Sequence, residues 1–224
     1  MKLSIIVPML NEALVLPDLL AHLLPLRRGG VEVVLADGGS EDGSAAIAAS
    51  AGFAIVRAER GRARQMNAAA ATASGDVLLF LHADTRLPDG AIQLIDAALA
   101  DGRHAWGRFD VEFDLRTWTM DATAFGMNLR SRLSGIATGD QALFMRRAAF
   151  DAVGGFPDQP LMEDVEITSR LRRRSRPACI RRPVLTSARR WQSRGPWRTI
   201  LLMWRLRLAY RFGASPADLA RQYR

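Results

Sequence analysis

Carboxylates recur in this sequence where apolar runs end, the places where a cation or a proton can be handled. The run Leu78-Leu79-Phe80-Leu81-His82-Ala83-Asp84-Thr85 reads as a buried strand that stops at Asp84. Asn11-Glu12 follows Leu3–Val7, Asp37 closes Val31–Ala36, and Glu163-Asp164 opens a helical segment. Singly, each fits a turn or helix-cap residue. Capping does not require acids to gather, yet the first three sites lie at carboxyl ends of strands expected to be parallel. Open α/β sheets hold their ligands at that edge. Gathered carboxylates suit Mg²⁺ or Mn²⁺ shared with substrate phosphates. Such an ion neutralises charge building on a departing diphosphate. Asp37 precedes the turn Gly38-Gly39-Ser40, and its oxygens suit a base N–H or a ribose hydroxyl. Gly61-Arg62-Ala63-Arg64 begins a helix whose N–H groups and guanidiniums suit a diphosphate.

These positions depend on an alternation of strands and helices. Strands are expected at 3–7, 31–36, 53–56 and 77–81, and helices at 12–26, 44–51, 62–72 and 88–100. Such alternation implies βαβ units with right-handed crossovers and a parallel sheet. Beyond it, Ala105–Phe113 alternates like a strand with one wet face, and Trp118–Ser131 reads as a helix. A loop over 135–140, a strand over 142–145 and helices over 148–153 and 162–173 follow. A short strand over 178–180 and a long helix over 197–212 complete the reading.

The 224 residues suffice for one large domain, and 49% hydrophobic content supplies a core. A single cysteine, Cys179, excludes a disulfide framework, and three scattered histidines make no His-based metal motif. No uncharged apolar run approaches the about 20 residues needed to span a bilayer. The N-terminus lacks a signal-peptide pattern, so a cytoplasmic chain is expected. Charge is uneven. Residues 1–169 carry 15 basic and 22 acidic side chains, whereas residues 170–224 carry 16 arginines against the single Asp218. Such a tail suits phosphates or anionic lipid.

The strings Pro8-x-x-Asn11-Glu12, Asp37-Gly-Gly-Ser-x-Asp42-Gly43, Gly61-x-x-x-Gln65-x-Asn67, Phe80-Leu81-x-x-Asp84, Gly154-Gly155-Phe156 and Glu163-Asp164 together resemble the family-2 glycosyltransferases over about residues 1–175. Gly61–Asn67 and Leu81–Thr85 look like a small bacterial branch termed selenodomain-associated transferases. The resemblance implies a GT-A fold, a Rossmann-like α/β single domain with a mainly parallel central sheet flanked by helices. It also implies an inverting mechanism and a nucleotide-diphosphate sugar donor. On that analogy Pro8, Asn11, Glu12 and Asp37 line the nucleoside pocket, and Gly61, Arg62, Arg64, Gln65 and Asn67 belong to the donor site. Asp84 then ligates Mn²⁺ or Mg²⁺, and Asp164, with Glu163 beside it, is the general base. His82 stands where the family often has a first carboxylate, and contacts ribose, contacts metal or packs. Ser187 replaces the Gln of the processive members' Gln-x-x-Arg-Trp before Arg190-Trp191, so single-sugar transfer is expected. Arg190 and Trp191 border the acceptor or the diphosphate, or anchor a loop; Asp140 and Gln141 bond an acceptor sugar or order a loop.

The expected organisation is a transferase domain over 1–175 and an Arg-rich helical extension over 176–224 packed on it. Residues 1–100 bind the donor and 101–175 the acceptor. The helix over 197–212 packs on the domain or a second subunit, or rests on the inner face of the membrane. Two other functions share part of this pattern. A sugar-phosphate nucleotidyltransferase would need a Gly-rich loop with Lys or Arg where this chain has Pro8-Met9-Leu10-Asn11-Glu12. A nucleic-acid or anionic-membrane binding protein would use the tail. No nucleic-acid reading motif or stacking platform accompanies it, so no nucleic-acid partner is expected.

Overall fold

The structure is a computed structural model that describes residues 1–189 and 195–223. The first half runs β1 (Leu3–Met9), α1 (Leu16–Arg28), β2 (Glu32–Asp37), α2 (Ser44–Ser50), β3 (Ala54–Arg57), α3 (Arg62–Thr72), β4 (Val77–Phe80), β5 (Thr85–Arg86) and α4 (Ala91–Ala100). The second runs β6 (Trp106–Phe113), α5 (Trp118–Ser134), β7 (Leu143–Arg146), α6 (Arg147–Ala152), α7 (Glu163–Arg172), β8 (Ala178–Thr186), α8 (Pro196–Arg211) and α9 (Pro216–Tyr223).

Among the described residues the strands form one eight-stranded sheet ordered β3-β2-β1-β4-β7-β6-β8-β5. The pairs β1–β2, β1–β4 and β2–β3 are parallel. β7 is antiparallel to β4 and to β6, so β6 again points the way of β4. β8 is parallel to β6, and β5 antiparallel to β8. Only β5 and β7 therefore oppose the rest. The carboxyl ends of β1, β2, β4, β6 and β8 and the segment entering β7 all reach one rim.

The strands are apolar on both faces because both are covered. Ile5, Val7, Val33, Leu35 and Leu79 pack with α1, α2, α4 and α5 residues such as Leu19, Ala48, Ile95 and Ala124. Ile6, Val34, Ala36, Leu78 and Phe80 pack with Met66, Phe150 and Ile167 from α3, α6 and α7. The chain is thus an α/β domain with helices on both sides of a mainly parallel sheet. A third cluster joins Leu161 and Met162 before α7 to Leu206 of α8 and Leu219 of α9.

Some boundaries differ from the expected ones. α1 starts at Leu16, not Glu12, because the N–H groups of Asn11, Glu12 and Ala13 bond Ser40, Ser44 and Asp42 across the rim. α4 starts after Gly90, whose φ of 74° breaks the run from Pro88. β8 extends to Thr186. Its register with β6 skips from Ile180 to Pro183, so the polar Arg181-Arg182 sits in a bulge that hides the strand in the sequence. The two-residue β5 is too short to show a period, and α9, though strongly one-sided over its eight residues, is not among the expected elements.

Gly107 is where β6 lies closest to its neighbours. A methyl there would strike the Phe144 ring and lie 2.5 Å from the Ala178 carbonyl oxygen. Gly107→Ala is expected to cost about 1–3 kcal/mol, read from the urea midpoint at unchanged slope. Wild-type stability in that variant would contradict this packing.

Candidate active site

The ends of β1 and β2 are laced together. Asp37 is buried and accepts the Ser40 N–H at 3.1 Å. Asn11 adopts φ 55°, donates its N–H to Ser40 Oγ (2.9 Å) and accepts the Glu41 N–H on Oδ1 (2.9 Å). Asn tolerates this left-handed backbone better than most residues. Glu12 donates its N–H to Ser44 Oγ at 2.9 Å and Ala13 its N–H to Asp42 Oδ2 at 2.8 Å. The Ser44 hydroxyl, then the Ala13 N–H, hold the Asp42 carboxyl below the usual range.

α3 supports this rim from behind. It starts after Gly61, whose φ of 142° suits glycine. Gln65 is buried, and its Nε2 donates to the carbonyls of Met9 (2.6 Å) and Ala36 (3.0 Å). Asn67 donates to the Phe156 carbonyl at 2.8 Å and accepts the Phe156 N–H at 3.0 Å, tying the Gly154-Gly155-Phe156 turn to α3. Both amides are thus taken up by backbone. Arg64 turns outward to Glu59 (2.6 Å) and grips Asp158 through Nε and Nη2 at 2.8 and 2.9 Å.

A cavity of about 330 Å³ opens at the rim, lined by Pro8, Glu12, Arg62, His82, Asp84 and Asp140 and walled by α5 and α8. Asp84 is half-buried, and its Oδ1 accepts from Thr85 Oγ1 at the long distance of 3.5 Å. Its backbone carbonyl accepts the Ser187 N–H at 3.2 Å, which ties it to the end of β8. Among the described residues, no three His, Cys, Asp or Glu side chains gather as a ready metal cage. Asp84 thus offers one open carboxylate. That fits a hard cation which takes its other ligands from phosphate and water.

Beside it, one connected chain crosses the rim. His82 Nδ1 lies 3.1 Å from Asp140 Oδ1. A side chain at Gly139 would overlap the His82 ring, so glycine there lets the turn approach the imidazole. Gly139 donates its N–H to Asp164 Oδ2 at 2.9 Å, and Val165 donates to Asp164 Oδ1 at 2.7 Å. Glu163 is 3% exposed and lies 3.3 Å from Arg62 Nη1. Burial first, then the neighbouring Asp164, push the Glu163 carboxyl up. Burial pulls the Arg62 guanidinium down, but Glu163, Asp140 and Asp164 outweigh it and hold it protonated. Gln141 is fully buried behind the turn; it donates to Ser131 Oγ at 3.0 Å and accepts the Thr138 N–H at 3.3 Å. Arg190 and Trp191 lie outside the described residues.

Two residues of the cavity wall escape a reading of the sequence as site residues. Arg130 of α5 and Arg207 of α8 both line it. Burial, then Arg207, push Arg130 down to about 10, and burial pushes Arg207 down as well. Arg130 sits on α5 between the buried Met127 and Ser131, where helical periodicity alone does not separate wall from surface. Arg207 reads as one more charge on a basic helix.

Residues 4–154 match the sequence model of glycosyl transferase family 2. The chain belongs to this family. No curated protein matches the chain. The fold of this family-2 protein is similar to that of TarS 1–349 of S. aureus in complex with UDP-GlcNAc (TM-score 0.67, 20% identity, 84% of this chain and 58% of that one). It is also similar to the mannosyltransferase PcManGT of Pyrobaculum calidifontis with GDP-Man and Mn²⁺ (TM-score 0.62, 22% identity, 83% and 56%). Glucosyl-3-phosphoglycerate synthase of Mycobacterium tuberculosis, with Mn²⁺, UDP and phosphoglyceric acid, shares it too (TM-score 0.61, 17% identity, 83% and 69%). The chain spans less than two thirds of the TarS and PcManGT chains, and at such identities the likeness is one of fold. No helix among the described residues is long and apolar enough to cross a membrane.

The buried Glu163 of this family-2 chain binds its proton more tightly when folded. Its stabilising contribution is full below the unfolded value of 4.5 and is lost as pH rises through the higher folded value. Glu163→Gln is expected to flatten the fall in Tm as pH rises above about 4.5. An unchanged profile in thermal denaturation would contradict this assignment.

Proposed function

We propose that this chain moves a single sugar from a nucleotide-diphosphate sugar to an acceptor hydroxyl with inversion at the anomeric carbon. What carries the reading is that Asp84, Arg62 and Asp140 line one cavity, with Asp164 bonded to the Gly139 N–H just behind Asp140. The nucleoside lies along the laced ends of β1 and β2, near Pro8, Asn11, Glu12 and Asp37. The diphosphate lies between Asp84 and Arg62. Asp84 would hold a Mn²⁺ or Mg²⁺ ion, which would neutralise the charge building on the departing diphosphate. The similar structures of PcManGT and glucosyl-3-phosphoglycerate synthase are complexes with Mn²⁺, which supports a divalent ion here.

An inverting transfer requires a base on the face of the sugar opposite the diphosphate. Asp164 takes that role: the acceptor oxygen bonds the anomeric carbon, its proton passes to the carboxylate, and the bond to the diphosphate breaks. The Gly139 and Val165 N–H groups fix the orientation of Asp164. Glu163 and Arg62 set the charge beside it. A specific observation favours a second base, Asp140, which itself lines the cavity and bonds His82. Gln141 acts as a positioning residue that braces the turn carrying Asp140.

Asp84→Ala is expected to abolish Mn²⁺-dependent thermal stabilisation by UDP- or GDP-sugars. Asp164→Asn should keep donor binding and lower turnover by about 10²–10⁴-fold. Full turnover in Asp164→Asn, with the loss appearing in Asp140→Asn, moves the base to Asp140. Failure of every nucleotide diphosphate to bind the wild type overturns the reading altogether.

A further inference from the structure

Arg130 and Arg207 are more than a wall. Neither forms an ion pair among the described residues, although Asp140 and Asp164 lie close enough to act on both electrostatically. Nε and Nη2 of Arg130, and Nε of Arg207, are buried without a hydrogen-bond partner among the described residues. Each such donor is a cost to the folded state that a ligand can relieve. Two guanidiniums that repel each other, with unfilled donors, beside a cavity they both line, form an anion site whose anion the described residues do not supply. Nε and Nη2 are one edge of the guanidinium fork, the edge that takes a phosphate in two parallel bonds. Two positive charges match the nearly doubly negative phosphate monoester.

The pair lines the same cavity as Arg62 and Asp84, but from its α5–α8 wall. α5 packs on β6, where Asn128 bonds both the N–H and the carbonyl of Val111. β6 lies on the far side of β4 from β1 and β2. We propose that Arg130 and Arg207 bind a phosphate group of the acceptor, holding its hydroxyl toward the base; this rests on the glycosyl-transfer reading above.

The test titrates inorganic phosphate and a soluble sugar phosphate, glucose 6-phosphate, into the full chain and into Arg130→Gln and Arg207→Gln. Thermal shift and calorimetry are read, with UDP and GDP plus Mn²⁺ as controls. Phosphate affinity should fall about tenfold or more in either variant while nucleotide-diphosphate binding holds. Removing one of two unpaired like charges should leave Tm equal or higher, which shows that the variants fold. A second arm uses phosphatidylcholine–phosphatidylglycerol vesicles of equal charge with and without phosphatidic acid. Extra retention on phosphatidic acid, lost in the variants, makes the source a lipid phosphate; response to free phosphate makes it soluble. Phosphate binding unchanged by both substitutions overturns the site. Loss of nucleotide-diphosphate binding in the variants assigns the pair to the donor instead. Failure of the wild type to bind any nucleotide diphosphate, with phosphate bound, sinks the transfer reading alone.

A separate observation concerns the outer faces of the same helices. Trp197, Leu201, Trp204, Leu208 and Phe212 recur three or four residues apart on α8, and all are exposed. Trp118, Phe125, Leu129 and Leu133 form a like stripe on α5, and the Trp118 and Trp197 rings lie 5.8 Å apart. Trp204 is 69% exposed yet lines the cavity, so it stands at its mouth. Such a contiguous apolar surface marks an interface. Arg198, Arg205 and Arg211 are exposed on the same helix, in a segment holding 16 arginines. Tryptophan with flanking arginine suits the boundary of an anionic bilayer. We infer that this surface rests on an anionic membrane. Wild-type protein should sediment with phosphatidylcholine–phosphatidylglycerol vesicles, and Leu201→Glu with Leu208→Glu should release it while donor binding holds. Wild type left in the supernatant, or a wild-type dimer that the same variants dissolve, overturns the inference.

Discussion

Strand polarity is the constraint on which this site depends. β1, β2, β4, β6 and β8 point one way, so the loops leaving them meet at one rim. β7 runs against them, so the turn that enters it, not the one that leaves it, arrives at the same place. That reversal brings Asp140 to the neighbourhood of His82 and Asp84, and Gly139 within reach of Asp164. Any other direction for β7 would send residues 138–141 to the opposite edge.

The stability of the fold and the chemistry of the site draw on different parts of the structure. Two apolar faces and the lacing of β1 to β2 hold the sheet. The rim instead concentrates charge that folding alone does not require. Glu163 is buried beside Asp164 and Arg62, and Arg130 is buried beside Arg207. A buried ion pair adds little net stability, and an unpaired buried charge subtracts from it. On the proposed function, ligands supply the missing charge: a cation at Asp84 and a phosphate against the arginines.

Much of the first half was legible because local and global preferences agree. α3 spans 62–72, as the Gly61 punctuation and its periodicity require, and the strands of the first 80 residues stand within a few residues of their apolar runs. The acids at strand ends were legible for the same reason. What escaped depends on tertiary geometry. Arg181-Arg182 conceals the continuation of β8 because a bulge carries them. Gln65 and Asn67 stand in motifs that suggest ligand contacts, yet their amides bond the backbone of Met9, Ala36 and Phe156. Arg130 and Arg207 are 77 positions apart, and only the pairing of α5 with α8 shows that they share one cavity.

Hydrogen–deuterium exchange read by mass spectrometry, with and without a nucleoside diphosphate and Mn²⁺, tests the central claim most directly. A ligand seated on this rim must slow exchange in the segments around Asn11, around Asp37–Ser40 and around His82–Thr85, which are remote in sequence and adjacent in space. The account predicts protection in all three at once, with the outer faces of α5 and α8 unchanged. Protection confined to the Arg-rich tail, or spread over segments that do not meet at the rim, would contradict it.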